Sequence, residues 1–110
     1  MLNQKCNMKN FSYNKRFDIL SIHNGFQPDE KFAGNEVIGD LVLDTSTKKR
    51  VVGIELFNAS EFLKVNLDDI KDADLEANWD GDCVTIELIL KFKNHQIPTK
   101  IAVPIEMAKV

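Results

Sequence analysis

The chain has 110 residues, with 44% hydrophobic and 28% charged side chains and a formal charge of −3. That length suits one domain, which at this size holds together without a disulfide or metal. The surplus of 17 acidic over 14 basic residues argues against a dedicated nucleic-acid binder or a protein that adheres to anionic lipid, since both need a clustered basic surface.

Residues 1–10 are polar and unpatterned and are read as a flexible arm, with residues 11–110 forming a single domain. No apolar run reaches the roughly 18 residues of a membrane helix. The cationic N-terminus has no apolar stretch behind it, so a secretory leader is not expected. Cys6 and Cys83 are far apart and form no C-x-x-C pair; the expectation is a reduced, cytoplasmic protein.

FSYNKRFDILSIH, from Phe11, reads as extended, with apolar groups on both faces. Asn24-Gly25 and Pro28-Asp29 then punctuate a loop reaching about Asn35, whose Phe26 and Phe32 are expected to pin it to the core, with a contact surface as the alternative. Residues 36–44 and 50–57 read as an antiparallel pair, with Val52, Ile54 and Leu56 on one face. The polar loop TSTKK joins them, and the basic cluster of Lys48, Lys49 and Arg50 at this turn is read as a solvated tip.

The period then changes. Asn58, followed by Glu61, has the spacing of a capping box, and Ala59, Phe62, Leu63 and Leu67 follow at near-helical intervals. Asn66 and Asp69 repeat that start signal, which predicts a second helix over Leu67 to Leu75 with Asp68 and Asp69 in its first turn. After a turn at Asp80-Gly81, with Trp79 buried beside it, VTIELILKFK alternates as a strand. QIPTKIAVPIEM continues in phase, and Pro98 and Pro104 place it at a sheet edge. The predicted fold is therefore α+β: an antiparallel sheet of about five strands with one or two short helices on one face, in the order β-β-β-α-α-β-β.

Tyr13, Asp18, Leu20, Ile22, Glu36-Val37, Asp44 and the run Val51-Val52-Gly53-Ile54-Glu55 with Ala59-Ser60 resemble a small prokaryotic family, domain of unknown function 2283. The resemblance covers about residues 13–64. Ser21 stands at the family's second tyrosine, and Thr45 to Lys49 replace its acidic turn. The family implies a small unit of sheet and helix. Its members often stand beside toxin-like proteins, which implies an antitoxin-like, partner-binding role, and it carries no catalytic residues. Gly53 within its strand also has a plain physical reading, as a point where a neighbour approaches closely.

Chemistry-bearing residues gather in one place. Residues 1–64 hold 9 basic and 8 acidic side chains, whereas residues 65–110 hold 5 and 9. Glu76, Asn78, Asp80, Gly81, Asp82 and Glu87 follow the ligand spacing of a calcium-binding loop. The alternation of the segment carrying Glu87 opposes that reading, since a strand would move it about 17 Å from Asp82. Glu76, Asn78, Asp80 and Asp82 thus remain candidate ligands for calcium or another hard cation, and no other cofactor is expected. Asp18 and Glu55 could act as an acid–base pair in a hydrolase only if one cleft holds both. His23 and His95 read as turn residues, and neither a nucleophile elbow nor a phosphate loop is present. The leading expectation is a non-catalytic protein-interaction domain, binding a protein partner or pairing as a homodimer through an open sheet edge, with no nucleic-acid or membrane partner.

Overall fold

The computed structural model describes residues 9–80 and 83–104. Eight strands and one short helix follow one another: β1 (Asn10–Asn14), β2 (Ile19–His23), β3 (Phe32–Ile38), β4 (Leu41–Ser46), β5 (Val51–Phe57), α1 (Ala59–Leu63), β6 (Asp72–Asp80), β7 (Cys83–Lys91) and β8 (Gln96–Pro104). They form two antiparallel sheets, one of five strands in the order β1-β2-β5-β4-β3 and one of three in the order β6-β7-β8. The fold is thus a small, mostly antiparallel structure with one helix among the described residues, where the sequence suggested about five strands and up to two helices.

Alternation builds the shared core. Leu20 and Ile22 of β2 stand in register with Leu56 and Ile54 of β5, and Leu41 and Leu43 of β4 flank the same two residues from the other side. Val84, Ile86, Leu88 and Leu90 of β7 face inward with Ala73 and Leu75 of β6, and all of these are buried in one cluster with the first sheet. Each fully buried aliphatic side chain contributes about 1.5–3 kcal/mol, so this common cluster is what binds the two sheets together.

Three departures from the expected elements have local causes. The segment after Phe11 is a hairpin, not one strand: Asn14 accepts the Phe17 amide through its side chain, and Asp18 takes φ 57° to turn the chain. Likewise EVIGDLVLD folds at Gly39, whose φ of 61° suits a residue without a Cβ, and becomes the β3–β4 hairpin. No helix covers Leu67 to Leu75. Asn66 instead closes a local turn by accepting the Asp68 amide, and the chain enters β6 at Asp72.

The single helix starts without its expected cap. Asn58 lies at φ 52° and makes no capping hydrogen bond. The orphan amide of Ser60 is satisfied by Asp18, 42 residues earlier in sequence. The placement of Pro98 and Pro104 does agree with expectation, since β8 is an edge strand. Residues 1–8, assigned to an arm, lie outside the described residues. Lys9 and Asn10, however, are ordered parts of the fold: Asn10 opens β1, and Lys9 pairs with Asp72 and Asp74. Among the described residues no helix is long and apolar enough to cross a membrane.

Candidate functional site

Four of the residues that carry the resemblance, Tyr13, Asp18, Ala59 and Ser60, meet in one hydrogen-bonded knot. Asp18 accepts the Tyr13 hydroxyl at 2.6 Å, the Ser60 hydroxyl at 2.7 Å and the Ser60 amide at 3.0 Å, while its carbonyl accepts the Ala59 amide. Burial alone would raise the Asp18 pKa, but the bonds from Tyr13 and Ser60 together hold it below the usual value. Burial and the hydrogen bond to Asp18 push the Tyr13 phenol up to about 12. Every lone-pair direction of use on Asp18 is taken, which makes it the clamp between the β1–β2 turn and α1. Glu55 is elsewhere, on the outer face of the five-stranded sheet opposite Ser21 and Val42, lining a shallow depression that excludes Asp18. The two carboxylates are thus placed apart, Asp18 clamped in the β1–β2 turn and Glu55 on the open face of the sheet.

Gly53 fulfils its expected role. A Cβ at this position would come within 2.7 Å of the His23 ring and 3.0 Å of the Ile22 carbonyl. His23 lies against the gap, accepts the Gly25 amide on Nδ1 at 2.9 Å and packs edge-on against Phe26. Phe26 thus packs on the His23 ring at the end of β2 and not on the core cluster, and His23 is held in place by both contacts. Phe32 does not pin the loop: it opens β3 and remains 53% exposed.

The cation-loop candidates that the structure describes lie along a hairpin. Glu76 and Asn78 lie within β6, not in a loop after a helix. Asp82 and the Asp80 side chain fall outside the described residues. The register returns Glu87 directly opposite Glu76, so the hairpin restores a proximity that an isolated strand would remove. Among the described residues no group of three or more His, Cys, Asp or Glu side chains is placed to hold a metal ion. Cys83 is a free thiol at the start of β7.

One buried ionic group went unread in the sequence. Glu30, only 5% exposed, receives Arg50 Nε at 2.8 Å and Nη2 at 3.0 Å, the Ser46 hydroxyl and the Gln27 amide. The Arg50 hydrogen bonds outweigh desolvation and lower its pKa to about 2. Arg50 is thus a clamp on the 46–50 turn and not part of a solvated tip. Nothing short-range signals the pairing, because 20 residues separate the partners.

The four sheet edges differ sharply in protection. β8 carries two prolines and Lys100, the usual means of blunting an edge. β1 and β6 lie against one another, bridged by Lys9, and Asn24 caps the Leu75 carbonyl of β6. β3 has none of these features. It holds no proline or lysine, Glu36 is its single charge, and Phe32 and Val37 are 53% and 70% exposed. A bulge between Phe32 and Gly34 is its one irregularity. Such an edge offers backbone donors and acceptors that another strand can complete. Comparison of the chain with protein-family models, curated proteins and solved structures returned no match.

Proposed function

We propose that this chain is a non-catalytic association module that extends its five-stranded sheet along β3 by taking up a strand from a second chain, with a second copy of itself as the occupant. The β3 edge, which has no proline, lysine or covering element among the described residues, is the observation that carries the reading. An antiparallel pairing centred on Asn35 sets Phe32 against Ile38, Ala33 against Val37 and Gly34 against Glu36, so no like charges meet. The register aligns apolar side chains and completes the edge hydrogen bonds. The partner-binding role implied by the family resemblance over residues 13–64 supports the same reading. A cytoplasmic, antitoxin-like neutraliser is the specific form it would take.

Sedimentation across a concentration series tests this directly. The wild-type chain should move from monomer to dimer, and Val37→Lys should stay monomeric with the melting temperature of the dilute, monomeric wild type, because Val37 is exposed in the single chain. A wild-type chain that remains monomeric throughout the series overturns the proposal.

A further inference from the structure

Trp79 was expected to be buried beside the hairpin turn, yet it is 50% exposed. Its Nε1 donates to the Lys49 carbonyl at 3.0 Å, which fastens β6 to the turn before β5. Among the described residues the free side of β3 has no such tie, and one residue at its middle has hydrogen-bonding groups to spare. Asn35 stands in register with Asp44 of β4 and donates one Nδ2 proton to its Oδ1 at 2.8 Å. A primary amide carries a second proton and a carbonyl oxygen. Neither is engaged among the described residues, so Asp44 fixes the amide while leaving half of it open.

Strand alternation places this pair. Asn35 shares the open face of the sheet with Val37, Val42 and Asp44, whereas Glu36 stands opposite the buried Leu43 on the core side. Two copies meeting antiparallel along β3 must choose a register that keeps these faces aligned. Centred on Asn35, the pairing sets amide against amide. The next such register is centred on Glu36, and it sets two carboxylates directly opposite each other, which like charges disfavour. One centred on Val37 runs Asn35 against Gly39, already within the β3–β4 turn.

We propose that Asn35, oriented by Asp44, selects a second copy of this chain in the register centred on itself, an inference that rests on the β3 pairing proposed above. Each Asn35 keeps one Nδ2 proton on its own Asp44, donates the other to Oδ1 of Asn35 in the second copy and accepts the same bond in return. Directly opposite Cβ atoms in antiparallel strands stand about 4.5–5.5 Å apart, within reach of two facing amides. Attraction at position 35 and repulsion at position 36 together discriminate the register, and a strand with no amide at the facing position forgoes both bonds.

Charge exchange at position 35 tests this. Asn35 is exposed, so N35D and N35K should both keep the sheet, which circular dichroism checks. Sedimentation of each variant alone should show dimerisation at least tenfold weaker than in wild type, because like charges meet across the two-fold axis. An equimolar mixture, with one variant isotope-labelled, should recover dimers in which the mixed species dominates in native mass spectra. D44A should weaken the wild-type dimer but add nothing in an N35A background, since Asp44 acts through the amide. A wild type that stays monomeric removes the β3 reading and this inference with it. A wild-type dimer that Val37→Lys dissociates, combined with no excess of the mixed N35D–N35K species, leaves β3 pairing standing and overturns the role of Asn35. An equal loss from D44A in both backgrounds overturns the part assigned to Asp44.

Discussion

Replacing Glu30 with glutamine tests how the 46–50 turn is held. The carboxylate is fully enclosed, and bidentate bonding from Arg50, against the cost of desolvation, takes its pKa from the usual 4.5 to about 2. Because the folded-state value is depressed, the stabilisation is complete above the unfolded value and is lost as pH falls through the folded one. At about 1.4 kcal/mol per tenfold, the ionised state contributes at most about 3 kcal/mol at pH 7, and less than about 1 kcal/mol at pH 2.5. Against a total stability of about 5–15 kcal/mol for a domain, that loss is large. Urea unfolding followed by Trp79 emission should show E30Q well below wild type at pH 7, with the gap closing between about pH 5 and 2. A gap that is the same at pH 7 and pH 2.5, or no gap at either, would refute the reasoning.

Other expectations follow from the core and the knot. Leu56→Ala, between Leu20 and Leu41 in register, should cost about 2–5 kcal/mol in urea unfolding, the range for a buried leucine. Gly53→Ala should lose about 1–3 kcal/mol, since the new methyl meets the His23 ring and the Ile22 carbonyl; an unchanged midpoint would show that the gap is not filled. Tyr13 is the single tyrosine, so absorbance at alkaline pH should show a phenol ionising near 12. Asp18→Asn should bring that value down while costing about 1.5–3 kcal/mol, as expected for hydrogen bonds to a charged acceptor.

The strands legible in the sequence were those whose inward positions are large and aliphatic. Val52, Ile54 and Leu56 of β5, and Val84 to Leu90 of β7, alternate without ambiguity. β6 escaped because its inward side chains include Ala73 and Ala77, too small to mark a period, and because Asp68 and Asp69 just before it resemble the first turn of a helix. The two hairpins were hidden for different reasons. The first turns on Asp18 at positive φ without glycine or proline, whereas the second carried a Gly39-Asp40 signal inside an otherwise continuous apolar run. The exposed edge depends on strand order, and Glu30 with Arg50 on a distant contact, so local pattern could reveal neither.

The central claim, that β3 is an edge awaiting a strand, is tested most directly by amide hydrogen exchange of residues 32–38 at rising protein concentration. Alternate β3 amides are expected to exchange fast when the chain is dilute and to slow as the dimer forms, while those of β8 stay constant. In Val37→Lys, the β3 amides should remain fast at every concentration. Exchange along β3 that is independent of concentration, or equally slow in the variant, would contradict the account.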